Sequence, residues 1–261
     1  MPEVKRPNGG SASPMGATVR IDSTQAGSEK RGSESTAGIL LCGGQSRRMG
    51  QPKEWLDFGG VTLWEHMLRQ LWGVVPQVVV VAAPEQALPP LPPTWQSWVR
   101  VVRDPLPYPG PLVGLLTGWL ALPATVEEVL ALAVDLPGVR PPLLRQLLHW
   151  LHEEPTVDAV IPQRTDHWQP LLAAYRRSAL PQVQTLVDHG HRRMQDLVQT
   201  LRVRPVTPEM LRSIDPTVRC LDNLNTPADY AGALARFLSE APHEATPGRC
   251  RQPPPSSYTV P

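Results

Sequence analysis

The chain has 261 residues, enough for one well-buried core, and it carries a net charge of +1 at pH 7 with a sequence pI near 7.8. Nucleic acids and acidic membrane surfaces attract proteins through a summed positive field, which a nearly neutral chain does not provide. The composition therefore argues against both partners and favours a small metabolite as the ligand.

The cysteines and the apolar stretches indicate where the protein works. Cys42, Cys220 and Cys250 are odd in number, and no two of them have the spacing of a metal-binding pair, which is typical of a reducing compartment. The first residues lack the apolar segment of a secretory signal, and no stretch approaches the roughly 20 apolar residues of a membrane helix. We expect a cytoplasmic protein that does not enter a membrane.

Both ends of the chain have the composition of disordered segments. Residues 1–36 and 242–261 are rich in Gly, Ser, Pro and charged residues, and they offer few large apolar side chains to bury. We expect one folded domain over residues 37–241, with a disordered tail at each end.

Between the tails, short apolar runs alternate with segments of helical periodicity. Helices are predicted around 61–75, 110–122, 141–154 and 226–240, with two short ones between 177 and 201. Strands are predicted at 37–42, 77–83, 98–104, 128–135 and 157–162, and also near 169–177 and 201–206. Strands without strict alternation, separated by helices, are typical of a parallel sheet covered on both faces. The predicted fold class is α/β, with three α/β/α layers and a mostly parallel central sheet.

Three polar loops follow predicted strands of this sheet. They are residues 43–54 after the first strand, 104–110 after the third and 135–138 after the fourth. In open parallel sheets, ligands bind beyond the carboxyl ends of the strands. We therefore expect these loops to form one binding site.

The first of these loops has the features of a phosphate-binding turn. Gly43 and Gly44 allow a ligand to approach the backbone amides, and Arg47, Arg48 and Lys53 add cationic donors. The loop lacks the GK[ST] ending of the NTPase phosphate loop and does not match the GxGxxG dinucleotide fingerprint. A different kind of nucleotide site is indicated.

The segment LCGGQSRRMGQPK, residues 41–53, resembles the signature of nucleotidyltransferases with a GT-A-like, Rossmann-like fold. Three further segments, VVRDPLPYPGPLVGL, AVDLPGV and LDNLNTPADY, resemble the later motifs of the molybdenum cofactor guanylyltransferases. The four segments follow one another in that family's order and cover the chain from about 38 to 236. The resemblance implies an enzyme that transfers GMP from GTP to the phosphate of molybdopterin, releasing pyrophosphate.

The resemblance also implies roles for individual residues. Lys53 would neutralise charge on the α-phosphate, Asp135 would bind Mg²⁺, and both would be catalytic. Arg47 and Arg48 would bind the leaving pyrophosphate through their guanidinium groups. The implied nucleotide-binding residues are Leu41, Cys42, Gly43, Gly44, Arg47, Arg48, Lys53, Asp104 and Asp135. Asn223 and Asn225 would approach the acceptor substrate or the metal.

Each of these polar residues also has an interpretation without function. Asp135 is as well suited to cap the start of a helix as to bind a metal. Asp104 could instead cap a turn. Asn223 and Asn225 alternate along an extended segment and so face the same way. They also suit the turn before the last helix, for which Thr226 is the natural N-cap.

Two residues favour different nucleobases, so the choice between guanine and cytosine stays open. Gly43 stands where the cytidylyltransferase relatives usually carry Ala, and it favours guanine; Pro52 stands where the guanylyl members usually carry Asp, and it favours cytosine. The alternatives are a molybdopterin cytidylyltransferase, a sugar-phosphate nucleotidyltransferase, and a nucleotide-binding adaptor without catalysis. For an enzyme of this family, transient contact with molybdoenzymes or other cofactor-synthesis proteins is expected.

Overall fold

A computed structural model describes residues 34–44, 49–107, 109–165 and 167–240, all of which lie within one compact unit. The predicted tails therefore lie almost entirely outside the described residues, as do Arg47 and Arg48. The first strand begins at Thr36, one residue before the predicted boundary, and the last helix ends at Glu240. None of the helices in the described ranges is long and apolar enough to cross a membrane.

Within the part of the chain that the structure describes, the strands form one mixed eight-stranded sheet. They are β1 Thr36–Leu41, β2 Val78–Ala82, β3 Val99–Arg103, β4 Glu128–Ala133, β5 Ala159–Arg164, β6 His167–Trp168, β7 Leu172–Arg176 and β8 Val203–Val206. The order across the sheet is β3-β2-β1-β4-β7-β5-β6, and β8 also pairs with β5.

The half of the sheet that begins at β3 is parallel. β1 pairs in parallel with both β2 and β4, and β2 pairs in parallel with β3. β1 and β2 are buried along their whole length, and β4 is buried except at its last residue. This burial arises because helices cover both faces of this half. The carboxyl ends of these four strands therefore lie along one edge.

The other half is mixed in direction. β7 is antiparallel to both of its neighbours, β4 and β5, whereas β8 is parallel to β5. The two-residue strand β6 forms an antiparallel hairpin with the end of β5. The strand predicted near 169–177 is present as β7, and it runs opposite to both of its neighbours.

The described ranges contain seven α-helices. They are α1 Leu63–Leu71, α2 Pro111–Leu120, α3 Pro141–Glu153, α4 Leu180–Asp188, α5 Met194–Val198, α6 Pro208–Arg212 and α7 Pro227–Glu240. Buried residues of α1 and α3 form one core cluster with the sheet, and those of α2, α4 and α5 form a second.

Alternate residues of the central strands enter the two clusters. In β1, Leu40 belongs to the cluster with α1 and α3, whereas Ile39 and Leu41 belong to the cluster with α2. The sheet is thus a layer between two layers of helices, which confirms the predicted three-layer α/β/α class.

Candidate functional site

Lys53 and Asp135 form an ion pair at the carboxyl edge of the sheet. Lys53 Nζ lies 2.8 Å from Asp135 Oδ2, and both side chains are less than one-fifth exposed. Lys53 begins a short 3₁₀ turn, Lys53–Trp55, and Asp135 follows the end of β4 by two residues. The structure therefore brings together the two residues predicted to be catalytic, although 82 positions separate them along the chain.

Asp135 also holds the segment that carries the two asparagines. Its Oδ1 accepts a hydrogen bond from Asn223 Nδ2 at 3.1 Å, and its backbone oxygen accepts one from Leu224 N at 2.9 Å. The following helix, α3, begins six residues later, and its N-cap position is occupied by Arg140. The helix-cap interpretation of Asp135 is therefore wrong.

The amide of Asn223 is fixed on both sides. Its Oδ1 accepts a hydrogen bond from Gln169 Nε2 at 2.8 Å, so its Nδ2 is directed to Asp135. Gln169 comes from the segment between β6 and β7, which had no assigned role in the sequence. Asn223 thus joins the antiparallel half of the sheet to the carboxylate at the end of β4.

Asn225 lies at the start of α7, where the capping prediction is confirmed. Its backbone N donates to Asp229 Oδ2 at 3.0 Å, Thr226 N donates to the same oxygen at 2.8 Å, and Asp229 N donates to Thr226 Oγ1 at 3.2 Å. The Thr226 hydroxyl, the two backbone amides and the nearby Lys53 lower the pKa of Asp229. The N-terminus of α7 therefore lies close to the Lys53–Asp135 pair.

Asp104 is a buried carboxylate at the end of β3. It is 7% exposed, and its Oδ1 has no hydrogen-bond partner among the described residues. Burial raises the pKa of Asp104, and a hydrogen bond from Thr117 partly opposes this. A Cβ atom on Gly43 would lie 3.5 Å from Asp104 Oδ2, in ordinary van der Waals contact with this carboxylate. An oxygen that can accept a hydrogen bond but receives none fits a ligand that donates one.

The other residues of the first loop differ in exposure. Leu41 and Cys42 are buried in the two core clusters, so only their backbone atoms could contact a ligand. Burial, followed by the charges of Glu54 and Asp135, raises the pKa of the Cys42 thiol well above its usual range, which keeps the thiol neutral. Gly43 and Gly44 are exposed.

A groove of about 820 Å³ lies beside Asn223 and Asn225. Apolar side chains, including Phe58 and Phe237, line part of it, and charged side chains of both signs line the rest. The cationic side chains are Arg140, Arg164, Arg219 and Arg236, and the acidic ones are Asp215, Asp222, Asp229 and Glu240. The apolar and arginine side chains suit a flat heteroaromatic ligand, and two of the arginines, Arg164 and Arg219, already pair with Asp222 and Glu240.

Gly138 allows the loop after Asp135 to pack closely against the segment before Asn223. A Cβ atom at this position would lie 2.5 Å from the backbone oxygen of Arg219 and 3.2 Å from the backbone nitrogen of Cys220. Backbone atoms cannot move aside as the end of a side chain can. We expect Gly138→Ala to lower the free energy of unfolding by roughly 2–3 kcal/mol, measured by urea denaturation.

Gly232→Ala is the matched control for this prediction. Its Cβ would approach only the end of the Arg236 side chain, at 3.1 Å, and Gly232 lies within α7, where alanine is the better helix former. We expect this variant to be as stable as the wild type or more stable. Equal stability of the Gly138 and Gly232 variants would contradict the close packing at Gly138.

Two further residues of this region had no assigned role in the sequence. His66 lies on the buried face of α1, and its Nε2 is 3.0 Å from the backbone oxygen of Pro137, two residues after Asp135. Gln86, in the loop after β2, forms hydrogen bonds with three separate segments. The position of His66 three residues after the buried Leu63 was a signal that its ring is buried, whereas a single Gln in a loop gives no such signal.

Comparisons with known proteins show which family the chain resembles. Residues 38–206 match the family described as MobA-like NTP transferase domain. A probable molybdenum cofactor guanylyltransferase of Chloroflexus aggregans is 38% identical over 200 residues, covering 74% of this chain and 90% of that protein. A protein of the same description from Mycobacterium tuberculosis is 36% identical over 196 residues, again covering 74% and 90%.

Solved structures show the same fold. Molybdopterin-guanine dinucleotide biosynthesis protein A from Archaeoglobus fulgidus aligns with a TM-score of 0.63 and 25% identity, covering 78% of this chain and 99% of that one. A 4-diphosphocytidyl-2C-methyl-D-erythritol synthase from Anaerococcus prevotii aligns with a TM-score of 0.57 but is only 13% identical, covering 78% and 96%. The second similarity concerns the fold alone.

Proposed function

The chain belongs to the MobA-like NTP transferase family, and we propose that it transfers GMP from GTP to the terminal phosphate of molybdopterin. The products are the guanine dinucleotide form of the cofactor and pyrophosphate. The observation that carries this proposal is the convergence of Lys53, Asp135 and Asn223 at the carboxyl edge of the sheet, held by contacts of 2.8 and 3.1 Å. The chain is a nucleotidyltransferase, and its relatives are named for the guanylyl reaction.

The reaction needs no nucleophilic side chain. An oxygen of the acceptor phosphate attacks the α-phosphorus of GTP, a new P–O bond forms, and the bond from the α-phosphorus to the bridging oxygen breaks as pyrophosphate leaves. A phosphate monoester is already anionic near neutral pH, so the protein has to align the reactants and neutralise charge. Lys53 supplies a cation at the point where that charge develops.

Asp135 fits the role of a magnesium ligand. No group of three or more His, Cys, Asp or Glu side chains in the described ranges could hold a metal by itself. Magnesium, however, is usually held by one or two carboxylates together with substrate phosphates, so a single carboxylate at Asp135 suffices. When bound, Mg²⁺ would polarise the phosphoryl oxygens and offset their charge.

The remaining residues divide between the two substrates. Asp104, with its unpartnered oxygen, would accept a hydrogen bond from the nucleotide, and the backbone from Leu41 to Gly44 would line the nucleotide side. Arg47 and Arg48 would bind the pyrophosphate. Asn223 and Asn225 would contact molybdopterin, for which the adjoining groove has the volume and a lining of apolar and charged side chains.

GTP and molybdopterin are thus the proposed substrates, and neither nucleic acid nor membrane is proposed as a partner. Because molybdoenzymes use the finished cofactor, we propose transient contact with them or with other cofactor-synthesis proteins. The cytoplasm, where GTP is available, is the proposed location.

The proposed function is tested by pyrophosphate release with Mg²⁺ and molybdopterin, comparing GTP with CTP, ATP and UTP. We expect turnover with GTP to exceed that with each of the others by roughly 100-fold, since a site that binds a base by hydrogen bonds leaves those groups unpaired with the wrong base. Faster turnover with CTP would instead support the cytidylyltransferase interpretation. Nucleotide binding without pyrophosphate release from any of the four would support the adaptor.

A further inference from the structure

The side chain of Gln86 joins three segments at the nucleotide edge of the sheet. Its Oε1 accepts a hydrogen bond from Ala83 N at 2.9 Å, just beyond the end of β2. Its Nε2 donates to the backbone oxygen of Cys42 at 3.0 Å, just beyond the end of β1. The same Nε2 donates to Glu54 Oε1 at 2.6 Å, in the turn that begins with Lys53. One amide therefore connects the ends of two strands to the Lys53 turn.

The turn is attached to the same loop at a second point. Glu54 is 2% exposed and directed into the protein, while the side chain of Lys53 extends to Asp135. Trp55 Nε1 donates to the backbone oxygen of Ala87 at 2.9 Å. Both residues that follow Lys53 are thus bonded to residues 86 and 87, which fixes the backbone on one side of Lys53.

The loop that holds the turn is itself anchored by the edge strand. Arg103, at the end of β3, donates to the backbone oxygens of Ala83 at 3.0 Å and Gln86 at 2.7 Å. These bonds join the ends of the β2 and β3 segments and hold the loop between them. Gln86 consequently has a fixed position from which to orient the turn.

We propose that Gln86 is a positioning residue for Lys53. Its amide holds Glu54 and thereby sets the place of the Lys53 ammonium group relative to Asp135. This inference rests on the proposed function in assigning Lys53 to the reacting phosphate. Displacement of a catalytic group by about 1 Å can lower a rate by about 100-fold, so the effect of a lost anchor is measurable.

The kinetic test compares Gln86→Met, which keeps the length of the side chain but forms none of the three hydrogen bonds, with Glu85→Gln, a neighbouring exposed position. We expect Gln86→Met to lower kcat by roughly 10- to 100-fold and to change KM for the nucleotide less than about threefold. Glu85→Gln should leave both constants at their wild-type values.

Two variants of Glu54 test the other partner of this hydrogen bond. Glu54→Gln keeps an oxygen that can accept the hydrogen bond from Gln86, so it should retain most of kcat. Glu54→Ala removes that oxygen and should resemble Gln86→Met.

A double variant separates positioning from a general structural role. If Gln86 acts through Lys53, adding Gln86→Met to Lys53→Ala should lower the residual kcat by less than about twofold, because the group being positioned is already absent. A further loss as large as in the wild-type background would overturn the proposal.

A second measurement does not depend on activity. Lys53 is one of only three lysines, with Lys5 and Lys30, so reductive methylation with ¹³C-formaldehyde gives few lysine signals in an NMR spectrum, and Lys53→Arg identifies the one from Lys53. We expect Gln86→Met to move this signal, as Asp135→Asn should, and Glu85→Gln to leave it unchanged. An unmoved signal in folded Gln86→Met would overturn the proposal. Absence of turnover by the wild type would count against the proposed function, and the NMR comparison would then decide the role of Gln86.

Discussion

Asparagine in place of Asp135 is expected to lower turnover on the order of 10²–10³-fold while leaving the fold intact. The carboxylate faces Lys53 at 2.8 Å, and it is the proposed ligand of the metal. Asparagine has nearly the same shape and keeps an oxygen that can accept the hydrogen bond from Asn223, but it removes the negative charge. The loss should therefore appear in kcat and in the Mg²⁺ concentration needed for half-maximal rate, and only weakly in thermal stability.

Asp188→Asn is a suitable control for this prediction. Asp188 is an exposed aspartate at the end of α4, where its carboxylate accepts a hydrogen bond from Gln184 at 2.8 Å. This variant removes the same charge from an exposed side chain that bonds neither Lys53 nor Asn223, and it should turn over at the wild-type rate. Unchanged turnover by Asp135→Asn would show that the metal and charge assignments at Asp135 are wrong.

Stability is expected to fall by about 3 kcal/mol as the pH drops from 6.5 to 4, because of His66. This side chain is 3% exposed, and burial lowers its pKa to about 4; the hydrogen bond to Pro137 raises the pKa, while Arg140 and Arg69 lower it further. Between pH 6.5 and 4 the unfolded chain binds a proton at His66 that the folded chain does not bind. Protonation therefore favours the unfolded state in this window, and the loss is complete below about pH 4.

The measurement is urea denaturation at pH 7.5 and pH 4.5 for the wild type and His66→Gln. Glutamine does not titrate and can still donate a hydrogen bond, so the stability of the wild type relative to the variant should fall by about 2–3 kcal/mol between the two pH values. His149→Gln, at an exposed position on α3, controls for other groups that titrate in this range and should follow the wild type. Parallel pH profiles for the wild type and His66→Gln would contradict the effect of burial.

The parallel half of the fold could be predicted from the sequence because burial on both faces leaves a direct signal. β1, β2 and β4 are apolar at nearly every position, and the helices between them show clear periodicity. The antiparallel position of β7 between β4 and β5 could not be predicted in the same way. It depends on the order of strands across the sheet, which no local pattern records. β6 and α6, with two and five residues, are too short to show periodicity.

The site was predictable where its residues follow parallel strands. Asp104 and Asp135 each come after an apolar run, so their arrival at one edge follows from the sheet alone. The contacts that hold them in place were not predictable, because His66, Gln86 and Gln169 act across long separations in sequence. Their hydrogen bonds depend on how loops from different parts of the chain pack together.

The order of strands across the sheet has a consequence for how the protein is made. Asp135 is 82 positions from Lys53 and 88 from Asn223, and β4 must be inserted beside β1 before the first of these contacts can form. Closure of such long loops precedes any gain from the contacts, so folding should be slow compared with that of a helical bundle of the same size. During synthesis from the N-terminus, β1 emerges long before its partner β4, and its apolar surface stays exposed in that interval. The nascent chain is therefore most prone to aggregate before residue 133 has been made, and it acquires its complete site only after Asn223 has emerged.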